Sequence, residues 1–417
     1  MRLTLLALGS RGDVQPYVAL GRGLADAGYR VRLATFESFG DMVRQQGIDF
    51  HPVPGDAEAL VRAASSQNML GTRNPLKSMR AIMNSYGRMA DDYIAAFSAE
   101  ALRDSDAILN QLPGGLFGID LAEKLGVPYL TLSVIPLVPT REFPSPLLAA
   151  RSFGPILNRQ SYFWSGQLLW AFFRSKIAVF RQKLGLGPPS RWFKELDAPV
   201  INGFSRQVVP PPVDWGAHVH TTGYWTLAEP DGSPPDDLRA FVEAGSPPVF
   251  IGFGSMVAPD AAALTRILLD GVERSGQRAI IARGWAKLGG ARLPENSFLL
   301  EEYVPYGWLF PRMAAIIHHG GSGTTGLALR SGVPSMVVSF GADQPFWGNR
   351  IQAVGAGIAP IPVKQLTTEK LAASIRQLTT DDRLRQGAQI IGQRLAAERG
   401  IPTAVEVISQ YVERPVS

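Results

Sequence analysis

The chain has no cysteine among its 417 residues. That excludes disulfides, thiolate metal centres and a cysteine nucleophile, and it removes redox usage as a guide to compartment. Histidine is nearly as scarce, with five in all and none before His51, so the first fifty residues cannot supply a histidine base. Long apolar runs are missing too. The run Leu3–Leu8 behind Arg2 is shorter than a signal core and far shorter than the roughly 20 residues of a membrane span. A cytoplasmic location is the expectation. The formal charge of +5 is small for the length, and without a recognised DNA or RNA motif it gives no reason to expect a nucleic-acid partner. Glycine is plentiful but not where a dinucleotide fingerprint needs it. Gly9-Ser10-Arg11-Gly12-Asp13 supplies two glycines of G-x-G-x-x-G and then an acid where a bound phosphate would be repelled.

What is present is alternation. LTLLAL, VRLATF, AILNQL and VPYLTLSVI are short apolar runs separated by helical patterns, and beyond a Pro, Gly and Asp-rich passage the rhythm restarts with PVFIGFGS, RAIIA, FLLEEYV, AAIIHHGG, PSMVVSF and IAPIPV. Such alternation predicts parallel sheets with helices on both faces. At about 150 residues per domain the length suits two. The fold class is therefore α/β, with two Rossmann-like doubly wound domains. We place the first over 1–212, a linker over 213–240, the second over 241–400, and a closing helix over 401–417 expected to return to the first domain.

The densest chemistry lies in one βαβ stretch. A strand over Ala314–Ile317 leads through His318 and His319 into Gly320-Gly321-Ser322-Gly323-Thr324, and LALRSG continues as a helix. Glycines let backbone amides approach an anion, and the helix dipole favours negative charge, so a diphosphate fits. The next strand ends in Asp343 and Gln344, whose side chains suit sugar hydroxyls, at the strand edge where doubly wound sheets bind ligands. Each feature has a plainer reading: a tight turn, packing histidines, and Asp343 as a helix N-cap.

VPYGWLFPRMAAIIHHGGSGTTGLALRSGVPSMVVSFGADQPFWGNR, together with GSRGDVQPYVALG, resembles the GT-B nucleotide-sugar-dependent glycosyltransferases, in particular the group with sterol glucosyltransferases and glycopeptide-antibiotic glycosyltransferases. The resemblance covers both halves of the chain. It implies that His318 and the amides of Gly320 to Thr324 hold a donor diphosphate. It further implies that Asp343 and Gln344 grip the sugar, that Tyr303, Val304 and Trp308 surround the base, and that Ser255 reaches a phosphate. In such enzymes the N-terminal half binds the acceptor, and the residue after the first glycine loop acts on it. Asp13 occupies that position, framed by Ser10, Arg11 and Gly12, where many relatives carry histidine. As a carboxylate it would take the acceptor hydroxyl's proton in an inverting displacement. Tyr306 stands where the sterol-enzyme pattern has histidine.

The resemblance makes a hydrophobic acceptor and a UDP-glucose donor the leading reading, with no cofactor and no metal; Asp91–Asp92, Asp236–Asp237 and Asp381–Asp382 read as solvated pairs. A nucleotide-sugar epimerase or hydrolase and a non-catalytic nucleotide-sugar or lipid binder are the alternatives, and Asp13 argues against the binder. From Arg141 to Lys194 nine basic residues face one acid, Glu142, and interleave with the aromatics Tyr162, Phe163, Trp170 and Phe173. Aromatics on every side of a helix suggest a buried helix lining the acceptor site, and the cations also admit peripheral contact with an anionic membrane. A monomer is expected.

Overall fold

The computed structural model describes residues 1–56, 93–98, 100–112, 117–148, 151–189, 194–227, 234–258, 260–289 and 293–413. They divide into two compact units, one of residues 1–206, 210–227 and 399–417, the other of 207–209 and 228–398.

The first unit is built on a parallel sheet of β1 (Arg2–Leu6), β2 (Arg30–Phe36), β3 (Asp49–Val53), β4 (Ala107–Gln111), β5 (Tyr129–Ser133), β6 (Val200–Asn202) and β7 (Val219–Thr221). The strand order is β3-β2-β1-β4-β5-β6-β7. The inner strands β1, β4 and β5 are almost wholly buried because both faces are covered, as parallel sheets require, whereas the edge strand β3 (DFHPV) buries only Val53. Strand order reverses between β1 and β4, which opens a crevice at their carboxyl ends. Strand β7 lies inside the stretch expected as a linker. Val219, His220 and Thr221 pair with Val200, Ile201 and Asn202, a three-residue strand too short for a periodic signal.

The second unit repeats the plan with β8 (Val249–Gly252), β9 (Ala279–Ala282), β10 (Ser297–Leu300), β11 (Ala315–His318), β12 (Ser335–Ser339) and β13 (Ile361–Pro362), ordered β10-β9-β8-β11-β12-β13. Here the reversal lies between β8 and β11. Strand β11 starts one residue later than the sequence suggests and ends on His318, opposite Gly252 of β8. The helical pattern after VRLATF forms a 3-10 turn, Glu37–Phe39, followed by only five helical residues, Gly40–Arg44.

The last helix, Gly400–Val412, belongs to the first unit. Its Ala404, Ile408 and Val412 join Leu20 and Leu24 of the first helix (Arg11–Asp26) in one apolar cluster. Glycine makes the approach possible, since a Cβ on Gly23 would lie 2.2 Å from Ile401 Cγ2. Two polar latches finish the contact: the Tyr29 hydroxyl donates to Glu413 Oε1 at 2.5 Å and lies 2.7 Å from Ser409 Oγ, and His220 Nε2 lies 2.9 Å from the Tyr411 hydroxyl. Removing residues 399–417 should therefore destabilise the first unit. Losing Ile408 and Val412 alone is worth roughly 3–6 kcal/mol of burial. Calorimetry should show one unfolding transition lowered or lost while the other persists; two unchanged transitions would refute the coupling.

Candidate functional site

In the first unit the loop after β1 is pinned from two sides. The Leu8 amide donates to Gln111 Oε1 at the end of β4, at 2.8 Å, so the neighbouring strand across the reversal fixes the loop. Gly9 has φ +141°, and a Cβ there would lie 2.6 Å from Asp13 Oδ2. Gly9 is thus required by both backbone and neighbour. Ser10 caps the first helix, and Asp13 folds back on it: Oδ2 accepts the Ser10 amide and the Ser10 hydroxyl, each at 2.8 Å. This is one arm of a capping box. Oδ1 accepts no hydrogen bond among the described residues.

Asp13 is half-buried. Burial raises its pKa above the ordinary carboxylate value, and the two Ser10 donors oppose that rise without cancelling it. One turn on, Tyr17 is fully buried, edge-on to Trp225 at 5.7 Å, with its hydroxyl unpartnered among the described residues. Burial and then the Asp13 charge push the phenol's pKa well up, so it stays a neutral donor beside the carboxylate. Arg11 and Gly12 lie exposed on the helix's first turn. Gln111 and Tyr17 were not singled out in the sequence; the i,i+4 spacing of Asp13 and Tyr17 was the available signal.

In the second unit, three loops meet at the carboxyl edge. Gly254 after β8 has φ +53°, and its Cβ would touch His319 Cε1 at 3.2 Å. Gln344 Nε2 reaches Met256 Sδ at 3.0 Å, joining the β12 loop to the Ser255 loop. Gly320 has φ +92°, and a side chain there would strike Val337 and the Gln344 backbone. Gly323 is different, because a Cβ on it would meet nothing within 4 Å. It sits in the first turn of the helix Ser322–Arg330, where amides lack intrahelical acceptors, so its bareness leaves those donors uncovered.

Of the two neutral histidines of this loop, His318 is buried and His319 partly buried. His318 Nδ1 accepts the Gly320 amide at 3.1 Å, which assigns the ring proton to Nε2, and that atom is buried without a partner. Burial first, and the neighbouring His319 second, lower the His318 pKa to about 3; burial lowers His319 to about 4. His319 Nδ1, Ser322 Oγ and Thr325 Oγ1 are likewise buried and, among the described residues, unpartnered. Orphaned polar atoms cost free energy unless a ligand or water completes them, and here four lie within eight residues.

Asp343 precedes the helix Gln344–Ala353 without capping it by its side chain. Its Oδ2 instead accepts Trp347 Nε1 at 2.7 Å. Gln344 Oε1 is spent on the Phe340 and Gly341 amides, at 2.6 and 3.3 Å. The turn is strained, with Gly341 at φ +154° and the non-glycine Ala342 at φ +52°. The expected base site is less unified. Val304 is core, Tyr303 is exposed, and Trp308 lies partly buried under the Arg312 guanidinium at 4.8 Å. Tyr306 stacks on Phe310 at 4.3 Å and packs edge-on to Phe250, so the residue that departs from the sterol-enzyme pattern works as core.

The aromatic helix departs from expectation. The helix Pro155–Leu184 buries Tyr162 and Phe173 and partly buries Trp170, but Phe163 is 52% exposed. It is therefore not buried all round: residues on its outer side meet solvent from Ile156 onward. Among the acidic pairs, Asp91–Asp92 lies outside the described residues. Asp381 caps the helix that begins at Asp382, and Asp382 pairs with Arg385. Asp104 and Asp106 have D-x-D spacing and were passed over in the sequence. They are engaged by Arg2 and Arg32 beside the amino ends of β1 and β4.

Two doubly wound parallel units, the second presenting bare amides at its strand-order reversal, make up the GT-B glycosyltransferase fold. The chain belongs to the sterol 3-beta-glucosyltransferase family of GT-B glycosyltransferases. It is 36% identical to sterol 3-beta-glucosyltransferase UGT80B1 of Arabidopsis thaliana, over 99% of this chain and 68% of that protein. Against the sterol 3-beta-glucosyltransferase of Emericella nidulans identity is 35%, but the chain spans only 30% of that protein's length. Residues 3–144 match the glycosyltransferase family 28 N-terminal domain, and 267–413 match the erythromycin biosynthesis protein CIII-like C-terminal domain. Among solved structures, the calicheamicin glycosyltransferase CalG4 aligns over 100% of both chains with TM-score 0.69 and 17% identity. The glycosyltransferase of kitacinnamycin aligns over 98% of both, with TM-score 0.73 and 18% identity.

The buried histidines give an acid-stability prediction. Their folded pKa values lie below the unfolded value near 6.5, so the unfolded chain binds more protons below that pH. The stability from keeping them neutral is complete above pH 6.5 and is lost as pH falls toward 4 and then 3. Replacing His318 by Gln should flatten the fall in melting temperature between pH 6.5 and 4.5. An identical fall in both proteins would contradict the burial argument.

Proposed function

We propose that the chain is an inverting glycosyltransferase that moves glucose from UDP-glucose to the hydroxyl of a bulky hydrophobic acceptor, with sterols the first class to test. The observation that carries the reading is Asp13: a half-buried carboxylate at the β1/β4 reversal, held through Oδ2 while Oδ1 accepts no hydrogen bond among the described residues, in a chain whose relatives include sterol 3-beta-glucosyltransferases. Its pKa is raised in the direction a general base requires.

In the proposed step Asp13 takes the acceptor hydroxyl's proton as that oxygen bonds to the anomeric carbon. The bond from that carbon to the diphosphate oxygen breaks, the diphosphate leaves with the electron pair, and configuration inverts. The leaving charge would be met by the first-turn amides of Ser322, Gly323 and Thr324 and by the Nε2 proton of neutral His318, an arrangement of oxyanion-hole type. Ser255 would contact a phosphate, with Tyr303, Val304 and Trp308 around the base. Asp343 and Gln344 would meet the sugar, Gln344 through its remaining amide hydrogen. The proposal assigns no metal to the diphosphate, so activity should survive EDTA; complete loss on chelation, restored by Mg²⁺ or Mn²⁺, would reject that part.

Asp13→Asn should lower turnover by about 10² to 10⁴, the usual cost of losing a general base, while UDP affinity measured by titration calorimetry stays unchanged. Turnover at the wild-type level would remove Asp13 from the mechanism. Ser10→Ala gives a finer check. The Ser10 hydroxyl lowers the carboxyl pKa, so its loss should move the acidic limb of the kcat/KM profile to higher pH. A limb that stays in place, or moves down, would mean that another group titrates.

A further inference from the structure

The first three turns of the helix Pro155–Leu184 are inside out. Besides the buried Tyr162, its inward side carries three polar residues that are each tied down. Asn158 donates to the Arg141 carbonyl at 3.0 Å and accepts the Phe153 amide at 2.9 Å. Ser161 accepts the Ser145 amide at 2.7 Å, and Ser165 lies 3.0 Å from the Ser145 hydroxyl. The outward side carries Ile156 (76% exposed), Leu157, Phe163 and Trp164 (62%), with Phe153 and Leu148 exposed just ahead of it.

At 100° per residue, positions 156, 157, 163 and 164 fall within about 120° of one another, and 158, 161 and 165 fall opposite. The apolar stripe runs about 12 Å along the axis from 156 to 164. Phe163 and Trp164 stack edge to face at 5.6 Å, which makes one projecting aromatic knob. Burying the serines and exposing the aromatics is costly for a helix in water alone, and a contiguous exposed apolar patch marks a docking surface.

The charge around the patch selects its occupant. Arg151, Arg159 and Arg174 are exposed beside it or on the same side, Arg159 with Asp214 at 3.9 Å. Between Phe143 and Lys194 the sequence contains no acid. Apolar side chains rimmed by cations match the boundary between anionic headgroups and acyl chains. Among the described residues no helix is long and apolar enough to cross a membrane, so the contact is one of lying on the surface.

We propose that this face is a docking surface for an anionic lipid bilayer, with Ile156, Leu157, Phe163 and Trp164 entering the headgroup boundary and Arg151, Arg159 and Arg174 meeting lipid phosphates. The proposal does not depend on which acceptor the chain glycosylates.

Flotation of the full chain with phosphatidylcholine vesicles, with and without 30% phosphatidylglycerol, is the test. The protein should float with the anionic vesicles only, and 0.5 M NaCl should reduce the bound fraction several-fold by screening. A triple variant, Ile156→Ser, Leu157→Ser and Trp164→Ser, should bind at least ten-fold less at unchanged melting temperature. If it fails to fold, the pair Arg151→Gln and Arg174→Gln should give the same loss. Absence of flotation by the wild type, or equal flotation by all folded variants, would overturn the proposal. So would light scattering that shows a dimer dissolved by the triple variant with flotation unchanged, since the occupant would then be a second copy. A raised acceptor KM with unchanged flotation would assign the face to acceptor binding instead.

Discussion

Everything chemical in this protein depends on one constraint: a parallel sheet whose strand order reverses leaves the carboxyl ends of two neighbouring strands without a connection crossing between them. Loops at that edge are held from below and open above. In the first unit the constraint is met by Gln111 reaching from β4 to the Leu8 amide, which holds the β1 loop in the shape that Gly9 permits. In the second it is met by contacts among three loops, with Gly254 against His319, and Gln344 against both Met256 and the Phe340 amide. Each unit thereby turns a topological gap into a rigid rim bearing polar atoms.

The two rims differ in how they use charge. Asp13 keeps its charge within reach of solvent and takes two Ser10 donors, so burial raises its pKa without abolishing the carboxylate. His318 is fully enclosed and His319 partly so, and burial keeps both neutral far below physiological pH. A neutral imidazole with one nitrogen committed to Gly320 has a defined tautomer and one donor. That suits binding an anion by directed hydrogen bonds and not by a counter-charge, which would cost more to bury.

Much of this was legible in the sequence, because strand-to-glycine-to-helix junctions need particular residues. The alternation of apolar runs with helical patterns gave the two sheets, and GSRGD and HHGGSGTT marked both loops. What the sequence did not yield has a common physical cause: it depends on pairing across long separations. Strand β7 is three residues long and exists because β6 offers it an edge. Gln344 looks like a sugar ligand in sequence, yet its carbonyl folds back on its own loop. Asp343 looks like a cap, yet its carboxylate holds the Trp347 indole. The D-x-D spacing of Asp104 and Asp106 looks like a metal site only until Arg2 and Arg32 are brought beside it.

The helix Pro155–Leu184 carries the argument furthest from periodicity. Aromatics on all sides of a helical wheel suggest burial all round, but the wheel cannot say which polar residues have local partners. Asn158, Ser161 and Ser165 find theirs in the loop 141–153, and each bond compensates the desolvation of its own polar group. Further along, Arg181 is buried against Asp120 and Glu123. Together with the buried Tyr162 ring, these hydrogen bonds and the ion pair hold the inner face. Ile156, Leu157, Phe163 and Trp164 take no part in that inner face and stay exposed, and an exposed apolar surface of this kind is one that an outside partner would explain.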